Sequence, residues 1–472
     1  MPHLCLKAAF PVYDFALAAS CLVFAIVAAI FARHRAASLY HPASFYLAFH
    51  GFVFVLRPLV ARWYEFDFVY RLYEFQPSPA DKLTVIVAAN LALVVFVAAT
   101  LAIARDPARP TEAGAADEAR RALFWPIVIA AGVLTPLALQ SQLSNWERRV
   151  NNFETMMRDA ATGNAINLQG NGWFTDSALM MAPLAVMLLW VSRYRWWGWG
   201  YLALFVFLQA GTGTRQAIIF AIAASGVAVL LERGKRWFDW RYVLLVLAAG
   251  AAFNQLVIDR GGAVRALVAP DRPATFVEDR ALAPLKHMDF ANLEYFEYLV
   301  YAVPQRTGTY DYFAHMLQIA TEPVPRALWP DKPAGSPVQL FSLWDYGQPI
   351  GMTASLPGMG WMSLGYPGVA IQALIFALLF GGAYRALLMN RGGPVAQLGY
   401  ALIIGASLIG FRDGTLLTLL RVAPFYLGPL LLAVALARLA QTRGPAAGPR
   451  PRAAAAATTP AERRRALAAR KR

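Results

Sequence analysis

Apolar residues in this chain come in long runs interrupted by few charges, neither alternating as in a half-buried strand nor striped as in a soluble amphipathic helix. The runs fall near 11–32, 43–61, 83–104, 122–140, 174–192, 196–210, 216–231, 242–258, 366–388, 396–411 and 415–437. Each approaches or reaches the roughly 20 residues needed to cross a bilayer as a helix. The pattern predicts an all-α polytopic membrane protein with about 11 transmembrane helices and one large extracytoplasmic loop containing short helices. Eight helices are expected in 1–258, the loop in 259–360, three helices in 361–437, and a basic tail, disordered by composition, in 438–472. The runs at 196–210 and 216–231 are short and joined by Gly211-Thr212-Gly213-Thr214, a pattern that suits a broken helix or an incomplete hairpin.

Composition agrees with this picture. The 472 residues are 58% hydrophobic and 15% charged, against roughly a quarter charged in soluble domains. The net charge of +15 is concentrated in particular connections and in the tail, where Arg438, Arg443, Arg450, Arg452, Arg463, Arg464, Arg465, Arg470, Lys471 and Arg472 face only Glu462. Such a tail reads as a cytoplasmic end facing anionic lipid, not as a nucleic-acid site. The connections with Arg33 and Arg35, Arg105 to Arg121, Arg193 and Arg195, Arg233 to Arg241, and Arg385 and Arg391 would share that side. An odd number of spans then places the N-terminus outside and the C-terminus in the cytoplasm. The two cysteines, Cys5 and Cys21, build no disulfide framework.

The loop at 259–360 is far longer than a routine connection. Leu293–Val303, rich in Tyr and Phe, suits a helix lying at the membrane interface. Tyr310–Ala320 reads as a second short helix, stopped by Pro323 and Pro325.

No P-loop, H-E-x-x-H, Asp-x-Asp pair or G-x-S-x-G elbow is present. What stands out instead is arginine. Arg215 follows the Gly-Thr-Gly-Thr turn, Arg412 sits in Phe411-Arg412-Asp413-Gly414, and Arg421 lies inside the last run. An arginine in a membrane helix is costly and marks a functional site by default. Arg57, in the second run, is read as snorkelling outward beside Arg62. In the loop, Pro325-Arg326-Ala327-Leu328-Trp329-Pro330-Asp331-Lys332-Pro333 is stiffened by its prolines and carries Arg326 and Lys332 toward an anion. Trp329, Trp344, Tyr346 and Trp361 have broad apolar faces that stack on sugar rings, or that equally fill a loop core or an interfacial belt.

The Pro325–Pro333 string resembles the membrane-embedded O-antigen, or oligosaccharide repeat-unit, polymerases, together with Gly308-Thr309-Tyr310, Thr353-Ala354-Ser355 and Leu364-Gly365-Tyr366-Pro367-Gly368. The resemblance covers roughly Leu208 to Pro429. That family often carries a Gly-Glu-x-Tyr string where this chain has Gly358-Met359-Gly360-Trp361, so the role of that glutamate is absent here or filled by another residue.

The resemblance implies a glycosyltransferase without cofactor or metal, in the bacterial inner membrane, with its large loop in the periplasm. It would polymerise polyprenyl-diphosphate-linked repeat units into O-antigen, capsule or exopolysaccharide. Arg215, Arg326 and Arg412, then Lys332 and Arg421, would bind the diphosphate. His315 ranks first as the base that takes the acceptor proton, with Glu294, Glu297 and His287 behind it. Partners would be the lipid-linked glycans, membrane lipids, and a chain-length regulator or flippase. An O-antigen ligase needs the same loop and arginines. A lipid-linked oligosaccharide flippase is the reading from a different class, and the paired repeats common in transporters are not evident.

Overall fold

The computed structural model describes residues 10–64, 66, 68–72, 74–109, 111–112, 114–151, 172–212, 216–241, 290–321, 324, 329, 341–347 and 353–443. Among these the secondary structure is helical, with no strand. Eight helices are long and apolar enough to cross a membrane: Val12–Arg33, Pro42–Tyr64, Pro79–Ile103, Ala115–Asn145, Trp173–Val191, Ser355–Arg391, Pro394–Asp413 and Leu416–Thr442. Of the three further spans expected, two are helices of 17 residues, Trp196–Thr212 and Gln216–Glu232. The third, at 242–258, lies outside the described residues.

Helix α1 (Phe10–Arg33) packs on the third span. The second span is composite: α2 (Pro42–His50), a π-helical stretch (Gly51–Leu56) and α3 (Arg57–Tyr64). His41 starts it. Its Nδ1 accepts from the Ala43 N–H at 3.2 Å, and its Nε2 bonds the Ala104 carbonyl at 3.1 Å. The ring therefore ties the start of one span to the end of another, and burial lowers its pKa to about 4. After the short α4 (Phe68–Leu72), α5 (Pro79–Ile103) begins at a reciprocal cap in which Ser78 and Asp81 bond each other's backbone N–H.

Helix α6 (Ala115–Asn151) leads to α7 (Gly172–Asp176), α8 (Met181–Val191), α9 (Trp196–Thr212) and α10 (Gln216–Glu232). From the loop come α11 (Asn292–Ala302) and the single turn α12 (Gln318–Thr321). Helix α13 (Ser355–Tyr384) is followed by α14 (Pro394–Gly405), α15 (Ser407–Asp413) and α16 (Leu416–Arg443).

Two apolar cores result. One joins α5, α11 and α13; the other joins α6, α8 and α10 to α14 and α16. Small residues allow the close approach that helices in lipid rely on. Ala88, Ala89 and Ala92 of α5 are fully buried, and a Cβ on Gly405 of α14 would come within 3.1 Å of Ala224 on α10.

The basic connections meet at one end of the bundle. Arg35 donates to the Arg105 carbonyl at 3.0 Å, Arg236 to the Arg35 carbonyl at 3.0 Å, and the Arg109 N–H to Leu388 at 3.0 Å. Arg120 pairs with Glu232 at 2.5 Å, and Arg193 with Asp117 at 2.9 Å.

Helix α13 is not one rod. Leu364 and Gly365 leave helical geometry, Gly365 at φ +61. A Cβ on Gly360 would lie 2.6 Å from the Val369 Cα, and one on Gly368 2.1 Å from the Gly360 carbonyl oxygen. Residues this far apart in one helix would be separated by more than two turns. The chain therefore folds back at 364–365, and residues 355–363 form a short arm lying against the long arm from Tyr366. The predicted run at 366–388 is the long arm.

Candidate functional site

Helix α11 is packed inside the protein. Ten of its residues, Asn292 to Val300 and Ala302, are buried. It is held by charge. Arg57 forks onto Glu294, Nε to Oε2 at 2.9 Å and Nη2 to Oε1 at 2.6 Å, with side chains 0% and 2% exposed. Arg57 thus turns inward where snorkelling was expected, because a carboxylate is waiting there. One turn on, Glu297 accepts from the Tyr70 hydroxyl at 2.5 Å, and Lys82 donates to that hydroxyl at 3.2 Å. Burial holds the Glu297 carboxyl above its usual range, against the pull of Lys82. Burial likewise raises Tyr70. As candidate bases, then, both glutamates are enclosed and partnered, and each fastens α11 to the first spans.

A second polar cluster forms where α11 and the short arm of α13 begin. Asn292 Nδ2 donates to the Thr353 carbonyl at 3.0 Å, to Thr353 Oγ1 at 2.7 Å and to the Arg412 carbonyl at 3.1 Å. One amide thereby joins three segments. The turn after Arg412 needs glycine, since Gly414 has φ +74 and a Cβ there would lie 2.0 Å from the Ser355 carbonyl oxygen. Gln372 from the long arm donates to the Gly414 carbonyl at 2.6 Å. Ser355 itself sits at φ +65, a strained value for a residue with a side chain.

Around this turn, four atoms shielded from solvent have no hydrogen-bond partner among the described residues: Ser355 Oγ, Gln372 Oε1, Arg412 Nε and Asp413 Oδ1. The Arg412–Asp413 pair is loose at 4.0 Å, with the arginine side chain 32% exposed. Shielded polar atoms are normally satisfied, so a cluster left open is a place for a polar ligand or water. Arg421 lies inside the last span, in the second turn of α16. It donates to Asp176 at 2.7 Å.

The third feature is a pair that sequence reasoning only half identified. The Asp311 N–H bonds the Met362 carbonyl at 2.8 Å and the Tyr312 N–H the Ser363 carbonyl at 2.9 Å, so this segment closes the far end of the short arm. Tyr312 and Phe313 take positive φ, 49 and 63. The expected helix over Tyr310–Ala320 therefore starts only at Ala314. This reversal places Asp311 Oδ2 in a short hydrogen bond with His315 Nδ1, while the His315 N–H donates to the same oxygen at 3.3 Å. The pair is buried, and His315 Nε2 and Asp311 Oδ1, both shielded from solvent, have no partner among the described residues. Asp311 escaped notice; its four-residue spacing from His315 was the available signal. Helix α12, directly after His315, packs on α16, the helix that carries Arg421.

The aromatic candidates divide. Trp361 is buried, donates to the Val303 carbonyl at 2.8 Å and meets Tyr366 edge-on at 5.1 Å, so it seals the short arm and offers no face to a sugar. Tyr346 donates to the Arg306 carbonyl at 3.1 Å. Trp329 is exposed. Arg215, Arg326, Lys332, His287 and the side chain of Trp344 lie outside the described residues. Among the described residues, no three His, Cys, Asp or Glu side chains gather closely enough to hold a metal ion.

No protein-family model, no curated protein and no solved structure matches this chain.

Proposed function

We propose that this protein is a glycosyltransferase that polymerises polyprenyl-diphosphate-linked oligosaccharide repeat units at the outer face of the bacterial inner membrane. The observation that carries the reading is the cluster of unpartnered polar atoms at the Arg412–Gly414 turn, between the starts of α11 and the short arm. An under-satisfied guanidinium beside a free hydroxyl suits a diphosphate. The Pro325–Pro333 string and its companions supply the likeness to repeat-unit polymerases.

In the reaction an acceptor hydroxyl oxygen attacks the anomeric carbon of the donor glycan. A new glycosidic bond forms, the bond from that carbon to the diphosphate oxygen breaks, and the diphosphate leaves with the electron pair. Preorganised cations stabilise the negative charge that develops on it. Arg412 is assigned this task, with Arg421, Arg215, Arg326 and Lys332 completing the set. The N-terminus faces the periplasm and the basic tail the cytoplasm.

Deletion of the gene tests the assignment through surface glycan. A polymerase deletion leaves a single repeat unit, exported and attached to its final acceptor. Long polymer held on polyprenyl diphosphate would identify a ligase instead, and single units trapped on the inner leaflet a flippase.

A further inference from the structure

We infer that Asp311 and His315 form a base pair of the Asp–His type, in which His315 Nε2 takes the proton of the acceptor hydroxyl and Asp311 holds the ring for it. The inference rests on the glycosyl-transfer reading and adds to it a positioning residue and a defined proton acceptor.

The geometry points to it in three ways. Asp311 Oδ2 accepts from the His315 backbone N–H and bonds Nδ1, so ring and carboxylate are fixed by two contacts from one oxygen. An ionised carboxylate only accepts. With His315 as a neutral imidazole donating to that carboxylate, Nδ1 carries the hydrogen and the lone pair is left on Nε2. That nitrogen has no partner among the described residues, the state a general base needs before its substrate arrives. Finally, the pair flanks a backbone reversal that docks its segment on the short arm. Two successive residues, Tyr312 and Phe313, adopt positive φ, and each left-handed residue other than glycine costs on the order of 1 kcal/mol or more. The reversal carries the Asp311 and Tyr312 N–H groups onto the short arm, next to the pair.

The proton balance is complete. As the acceptor oxygen bonds the anomeric carbon, its hydrogen passes to Nε2. The imidazolium formed is stabilised by Asp311 and returns its proton to water after product release. Among the described residues, the other ionisable groups on the pair's own segment are Tyr310 and Tyr312, while the helix packed against α12 carries Arg421, bonded to Asp176. The short arm carries no ionisable side chain over residues 355–363.

The test uses full-length protein in liposomes with lipid-linked repeat units extracted from a strain lacking this gene. His315→Gln preserves a donor toward Asp311 but offers no basic nitrogen. Its elongation rate should fall at least about a hundredfold at unchanged protein level, in line with the worth of general base catalysis. Asp311→Asn should lower kcat tens-fold or more with little change in KM, and histidine-selective nitrogen NMR should show His315 leaving the Nδ1–H tautomer. His315→Gly should regain part of its rate with added imidazole, an effect that a merely structural histidine would not give. Wild-type elongation with an equally fast His315→Gln protein would overturn the base assignment and leave the polymerase reading standing. Loss of folding in both His315→Gln and Asp311→Asn, with no imidazole rescue of His315→Gly, would assign the pair to structure. Failure of the wild-type protein to elongate would take both readings down.

Discussion

Arg57 and Glu294, 237 residues apart, form a two-contact ion pair closed to solvent. It joins the second span to a helix from the long loop, and so makes part of that loop an interior element. Removing one partner leaves an uncompensated buried charge, worth about 3–5 kcal/mol, whereas replacing both by apolar groups is often close to neutral. Glu294→Gln and Arg57→Met should each lower the thermal midpoint in detergent sharply. The Arg57→Met/Glu294→Leu double variant should recover most of the loss. Equal midpoints for wild type and both single variants would show that the pair does not hold α11.

The fold-back within α13 depends on contacts that admit no side chain. Gly360→Ala places a methyl 2.6 Å from the Val369 backbone, and overpacking of this kind costs about 1–3 kcal/mol or more. Yield of monodisperse protein should drop. Gly382→Ala, with nothing within 4 Å, should behave as wild type and serves as the control in the same size-exclusion assay.

His41 imposes a pH dependence on stability. Its pKa falls from 6.5 to about 4 in the folded protein, so the folded state binds fewer protons than the unfolded one between these values. Its contribution is complete above 6.5 and is lost as pH falls toward 4. Thermal midpoints across that range should decline for wild type. His41→Asn, which keeps a capping acceptor, should flatten the decline. An unchanged slope would place the acid sensitivity elsewhere.

The arginines at the proposed diphosphate site should not tolerate lysine, which lacks the planar fork. Arg412→Lys should lose about tens-fold in rate, from one charge-assisted contact of roughly 2 kcal/mol. Arg421→Lys should lose less, since its guanidinium already serves Asp176 at a half-exposed position. Rates of elongation at matched protein levels decide this, and full activity of Arg412→Lys would remove the turn from the site.

Hydropathy made the spans readable because burial in lipid demands long apolar runs. The start of the long arm at Tyr366 was readable for the same reason. The packing partners of helix α11 were not legible. Its carboxylates Glu294 and Glu297 look like a solvated face until Arg57, Tyr70 and Lys82 arrive from remote segments, and no local pattern announces partners at that separation. Arg57 was misread for the same reason. His315 was legible as a candidate, and Asp311 four residues before it was legible from the spacing that brings such residues together. Trp361 shows the limit for aromatics: its sequence context fits sugar stacking and core packing alike, and only the bond to Val303 separates them.

Purified protein reconstituted in liposomes with a defined polyprenyl-diphosphate-linked repeat unit tests the central claim most directly. The reading predicts a ladder of lipid-linked products growing by whole repeat units, without added ATP. Movement of the substrate between leaflets with no lengthening at all would contradict it.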